Sequence, residues 1–128
     1  MRALLDTHAL IWALTDNPKL SRKARALLAD PRIEQMVSAA SVMEIFTKHR
    51  IGKLPEADGI VRDWDRIMAA PGYALLPIAA EHARVAGSLD IAHKDPFDRL
   101  LIAQARIENV PLLSNEKLFD GCGVQRIW

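Results

Sequence analysis

Apolar and polar positions along the chain switch repeatedly between two periods. Arg2-Ala3-Leu4-Leu5, ending in a short continuous apolar run, reads as a buried strand, and apolar residues at helical spacing follow over about His8 to Leu14. Asp16-Asn17-Pro18 is turn chemistry. Ser21 is placed to cap a second helix, with Ala24, Leu27 and Leu28 on one face and Arg22, Lys23 and Arg25 outside, and Asp30-Pro31 ends it. Glu34 to Ser38 is a second strand. Ser41 with Glu44 three positions on matches a capping box, which predicts a third helix running to about Arg50 and closed by Gly52. Ile60, Trp64, Ile67 and Met68 recur at helical spacing and predict a fourth helix after Asp58. Tyr73 to Leu76 is a third strand, followed by a helix over about Ala80 to Leu89 that starts at a poor cap, Ala79. Asp95-Pro96-Phe97-Asp98 is the best helix start in the chain: a capping acid, proline at the first helical position, and an acid at the positive end of the dipole. Val110 to Leu113 gives a fourth strand, Glu116 to Phe119 a short helical turn, and Arg126 to Trp128 a fifth strand.

Strands and helices alternate throughout, with no repeat, linker or low-complexity segment. That alternation predicts an α/β fold: a three-layer α/β/α sandwich around a central parallel sheet of about four to five strands, with right-handed crossovers. Residues 1–128 read as one domain. Half the residues are hydrophobic and the charges nearly cancel, at +1 overall, so a packed core is expected and disorder is not. No apolar run is long enough to cross a bilayer, and Asp6 interrupts the only N-terminal apolar stretch, so neither a membrane span nor a signal peptide is expected. Cys122 is the single cysteine, which excludes an intramolecular disulfide and a zinc site with several thiolate ligands; a cytoplasmic location fits. The small net charge carries no information about nucleic acid, because phosphate binding needs only a local patch.

The acids change the picture. In a parallel α/β sheet, helix starts gather at the carboxyl edge of the strands, where ligands bind. Asp6 follows the first strand, Glu44 is expected in the first turn of the helix after the second, Asp95 and Asp98 open the helix leading to the fourth, and Asn115 and Glu116 follow that strand. Asp6, Glu44, Asp95, Asp98 and Glu116 are therefore expected to converge. Each also has a purely structural reading: Asp6 and Asp95 as helix caps, Glu44 as the capping-box partner of Ser41, Asp98 as a dipole-favoured acid. Crowded carboxylates repel, and either bind protons more tightly or call for a cation. Hard oxygen ligands without cysteine or paired histidine suit Mg²⁺ or Mn²⁺. Such an ion polarises a phosphoryl oxygen and lowers the pKa of a bound water, which is the chemistry of phosphodiester hydrolysis.

Three segments carry a family resemblance: Leu4-Leu5-Asp6-Thr7-His8-Ala9-Leu10-Ile11-Trp12, Ser38-Ala39-Ala40-Ser41-Val42-Met43-Glu44-Ile45 and Asp95-Pro96-Phe97-Asp98-Arg99-Leu100-Leu101-Ile102-Ala103-Gln104-Ala105. Together they resemble the PIN-domain family, and most closely the VapC-like toxins of bacterial toxin–antitoxin pairs, over essentially the whole chain. The resemblance implies an Mg²⁺- or Mn²⁺-dependent endoribonuclease that prefers single strands, paired with a small antitoxin protein and forming a homodimer. It matches Asp6, Glu44 and Asp98 to the family's acids, Asp95 to the extra acid of an Asp-Pro-Phe-Asp subgroup, and Ser114 to a serine or threonine that supports them. Glu116 takes the place of the family's usual aspartate with a longer side chain. Thr7, Asn115 and Arg99 are expected in supporting roles, Arg99 either by steadying an acid or a phosphate or by forming a surface ion pair.

Other polar residues carry weaker expectations. Arg22, Lys23 and Arg25, with Lys48, His49, Arg50 and Lys53, are cations able to attract RNA phosphates; the first group reads better as a solvated helix face, and Lys48 to Lys53 fall at the far end of the helix bearing Glu44. His8 and His93 lie near acids, but a metal-activated water leaves no need for a histidine base. Trp12, Trp64 and Trp128 read as core or interface residues. Two further readings stay open: a catalytically impaired PIN-fold binding module acting through a protein partner, supported only by Glu116, and a phosphoacceptor receiver domain, which fits Lys117 poorly and gives Glu44 no role.

Overall fold

The computed structural model describes all residues, 1–128. Five parallel strands form one sheet in the order β3-β2-β1-β4-β5: β1 (Arg2–Leu5), β2 (Glu34–Ser38), β3 (Tyr73–Leu76), β4 (Leu112–Leu113) and β5 (Arg126–Ile127). Helices α1 (Thr7–Leu14) and α2 (Arg22–Ala29) connect β1 to β2; α3 (Ala39–Arg50), α4 (Asp58–Arg62) and α5 (Trp64–Met68) connect β2 to β3. The chain returns across the sheet through α6 (Ala80–Ser88) and α7 (Pro96–Glu108) to reach β4.

The pleat sorts the core into two layers. Leu5, Val37 and Leu113 face one side, where they pack with Ala9, Leu10 and Ile11 of α1, Ala24 of α2 and Ile45 of α3. Their neighbours Leu4, Met36 and Leu112 face the other side, against Leu101, Ile102 and Ala105 of α7 and Phe119. The three-layer sandwich follows from this period of two, with both faces of a parallel sheet covered.

The strand order grows outward from β1 in both directions, so the direction of winding reverses between β1 and β4. A crevice forms at the carboxyl ends of those two strands, which is where open α/β sheets bind ligands. The register pairs Leu5 with Leu113 on one side and with Val37 on the other. Asp6, Ser38 and Ser114 consequently leave the sheet side by side.

Three expectations need correcting. The third helix begins at Ala39, because Ser38 ends β2 and caps α3 at once, its Oγ accepting from Ala40 N at 3.0 Å. Ser41 is not a cap, and Glu44 lies in the second turn, so the capping-box reading of Glu44 falls. The single helix predicted after Asp58 is two short ones, broken at Asp63 (φ −104°, ψ 19°). The fourth strand is confined to Leu112–Leu113, a two-residue ladder between β1 and β5.

Ser38 does a third thing. Its hydroxyl donates to Gln104 Oε1 at 2.5 Å, and Gln104 Nε2 donates to Pro77 O at 3.2 Å. Gln104 is fully buried on α7, so this link fixes α7 against the start of α3.

Candidate active site

Asp6 is the centre of the arrangement. It caps α1, Oδ1 accepting from Ala9 N at 2.7 Å, while Oδ2 accepts from the Ser114 hydroxyl across the β1–β4 register. The cap and the candidate ligand are the same group, and one does not exclude the other. Asp6 is buried, and that burial raises its pKa to about 6 against the lowering effect of its two hydrogen bonds; the charge of Asp98 raises it further and that of His8 lowers it. Ser114 Oγ in turn accepts from Glu116 N at 3.0 Å, which ties the chain after β4 to the same point.

Glu44 approaches from α3. Thr7 Oγ1 donates to Glu44 Oε1 at 2.6 Å, and Ser41 Oγ lies 3.0 Å from Thr7 Oγ1. Glu44 and Thr7 are buried. Glu44 Oε2 meets Lys48 Nζ at 2.5 Å. Lys48 is one turn beyond Glu44 on the same face of α3, so its expected remoteness from the acids is corrected here.

Asp95 and Asp98 arrive together on the first turn of α7. Asp95 Oδ1 accepts from Phe97 N at 2.9 Å and Asp98 N at 3.1 Å, confirming the cap. Asp98 Oδ2 lies 2.6 Å from His93 Nε2. Burial raises the Asp98 pKa most, opposed by His93, and the charges of Asp95 and Glu44 raise it further. These mutual effects are electrostatic signs that the acids share one space.

That space is a cavity of about 150 Å³ lined by Asp6, Thr7, His8, Glu44, Lys48, Asp95, Asp98, Glu116 and Leu118. All five acids singled out from the sequence reach it. Asn115 does not: it is exposed and outside the lining. Arg99 does not either, and its expected contact with an acid or phosphate is corrected. Its guanidinium donates to the backbone carbonyls of Ala86, Leu89, Ile91 and His93, so it braces the loop before α7 that carries His93. A larger groove of about 580 Å³, lined by Val42, Met43, Trp64 and Leu75 among others, is apolar and holds no acid.

The donor set suits a hard divalent cation. Five carboxyl groups face one small cavity, two of them with raised pKa, and a cation there relieves both the burial and the repulsion. With Glu44 turned onto Lys48 and Asp98 onto His93, no three of these side chains stand as a closed ligand cage around one point.

The sequence model described as the PIN domain matches residues 3–122. The chain belongs to the PIN-domain family. Solved structures with the same fold include VapBC2 from Rickettsia felis bound to a DNA fragment from its promoter (TM-score 0.72, 17% identity, covering 99% of this chain and 98% of that one). FitAcB from Neisseria gonorrhoeae is similar at TM-score 0.71 and 16% identity, covering 98% and 96%. A toxin-antitoxin complex from Klebsiella pneumoniae is similar at TM-score 0.65 and 22% identity, covering 93% and 91%. At these identities the likeness is one of fold. Comparison with curated proteins found no match in sequence.

The raised pKa of Asp6 in this PIN domain has a thermodynamic consequence. Its folded value, about 6, exceeds the ordinary 3.8, so the native state binds the proton more tightly than the unfolded chain. The resulting penalty is absent below the ordinary value and complete above the folded one. Asp6→Asn is therefore expected to be the more stable protein near neutral pH by roughly 2–3 kcal/mol, the gain shrinking as pH falls from about 6 to about 4. Urea unfolding of both proteins in EDTA across that range checks it; a gain independent of pH, or a loss, would contradict it.

Proposed function

We propose that this PIN domain is a metal-dependent endoribonuclease, the toxin of a toxin–antitoxin pair, which hydrolyses phosphodiester bonds in single-stranded regions of RNA. The observation that carries the proposal is the convergence of Asp6, Glu44, Asp95, Asp98 and Glu116 on one cavity at the winding reversal of the sheet. Mg²⁺ or Mn²⁺ held by Asp6, Glu44 and Asp98, with Asp95 and Glu116 beside them, supplies Lewis-acid activation of water and of a phosphoryl oxygen. The chain's own contribution is positional. Ser114 and Ala9 N fix Asp6, Thr7 fixes Glu44, and the cap at Asp95 fixes the turn that presents Asp98. His93, on Asp98, orients that carboxylate, and Arg99 holds the loop from which His93 comes.

The antitoxin belongs to the same reading. Its support is that proteins of this fold occur as the toxin–antitoxin complex named above. The expected second copy has a surface to occupy: an apolar face on which Met43 is 64% and Leu75 56% exposed, beside the open sheet edge at β3. An apolar patch is complementary to itself, which suits a two-fold contact. No helix is long and apolar enough to cross a membrane. The impaired-module reading keeps Glu116 as its single support, and Glu116 lines the cavity in spite of its length.

Two experiments test this. Purified protein is expected to cut a mixed single-stranded RNA pool with Mg²⁺ or Mn²⁺ and not with EDTA, and Asp6→Asn and Asp98→Asn to lose about a hundredfold or more of that rate while remaining folded. Cutting that persists in EDTA or in Asp98→Asn overturns the metal reading, and folded wild type that cuts nothing with any metal favours the binding module. Light scattering after size exclusion is expected to give twice the chain mass for the wild type and the single mass for Met43→Glu; equal masses contradict the placement of the dimer contact.

A further inference from the structure

Lys48 is the only lysine or arginine among the residues lining the acidic cavity. Three other cations are committed elsewhere. Arg99 is spent on four backbone carbonyls, Arg126 on Asp120 and Ser114 O, and His49 on Asp58. Lys48 is held differently. Its Nζ makes one hydrogen bond, to Glu44 Oε2, whereas an ammonium carries three donors. The side chain is 37% exposed and lines the cavity, while that of its partner Glu44, 7% exposed, is buried.

A cavity with five carboxyl groups repels an incoming phosphodiester, and a fixed positive charge at its wall offsets that locally. An ordinary i,i+4 ion pair on a helix surface contributes little to stability. The position of this one, a half-exposed lysine on a buried acid in the wall of the cavity, points to a second role. Resting on the nuclease reading above, we propose that Lys48 donates a hydrogen bond to a non-bridging oxygen of the RNA phosphate entering the cavity, while it continues to hold Glu44. The contact reads the backbone and not the base, so it adds affinity without sequence preference. The rigid turn of α3 between Glu44 and Lys48 fixes where that phosphate sits relative to the acids.

The test is binding of a single-stranded oligoribonucleotide across a salt series, with Ca²⁺ replacing Mg²⁺ and the RNA confirmed intact on a gel. Lys48→Met is expected to bind roughly tenfold more weakly than wild type, as for loss of one charge-assisted hydrogen bond, and its slope of log K against log salt to be shallower by about 0.7, the value for one phosphate on a single strand. Lys48→Arg is expected to restore both. Thermal melting confirms that the variants fold, and calorimetric Mn²⁺ binding separates the two roles. A Lys48→Met variant with altered Mn²⁺ affinity but unchanged RNA affinity and salt slope would overturn the phosphate contact and leave Lys48 as a support for Glu44 alone. Wild type that binds and cuts RNA beside a variant equal to it in affinity and slope overturns the inference but not the nuclease reading. Wild type that neither binds nor cuts RNA overturns both.

Discussion

The buried carboxylate of Asp6 is the constraint on which the rest depends. Taking an ionised carboxylate out of water is costly unless donors replace the lost hydration. Here the fold supplies two: the first turn of α1, through Ala9 N, and the end of β4, through Ser114. They do not fully replace water, because the pKa of Asp6 still rises to about 6. The residue is therefore kept where it weakens the apoprotein, and a cation is the partner that would make the position favourable. Local frustration of this kind is expected at functional sites and uncommon elsewhere in a consistent fold.

The other acids are placed by a buried polar scaffold that runs behind the cavity. Thr7 and Ser41 support Glu44; Ser38 joins the start of α3 to Gln104 of α7; Gln104 reaches Pro77 after β3. No buried polar side-chain atom is left without a hydrogen-bond partner. Satisfied networks of this kind specify one arrangement, and here the arrangement they specify is the separation between α3, which carries Glu44, and α7, which carries Asp98. The two apolar layers hold the sheet together, and this polar layer sets the geometry at its edge.

Much of this was legible in the sequence because it is local. Alternating strand and helix periods gave the layers, and the Asp95-Pro96 start of α7 is a capping signal that needs no tertiary context. Convergence of the acids followed from topology, since Asp6 and Glu116 sit just past a strand and Asp95 and Asp98 at a helix start, with Glu44 one turn further into α3. What escaped was non-local or concerned direction. Ser38 and Ser41 are both plausible caps three residues apart, and only the pairing of Ser38 with Leu76 in β3 shows that the strand runs to its end and turns directly into α3. Arg99 looks like an acid's partner beside Asp98, yet helical geometry points it to the carbonyls of the preceding loop. Lys48 lies towards the far end of α3, yet its i,i+4 relation to Glu44 puts both on one face.

The central claim is that the acids at the β1–β4 crevice hold a divalent cation. Anomalous diffraction from a crystal grown with Mn²⁺ tests it directly. The account predicts a manganese peak within coordination distance of Asp6 and Asp98, with Glu44 beside it. A well-occupied peak elsewhere on the protein, with none at these acids, would contradict it.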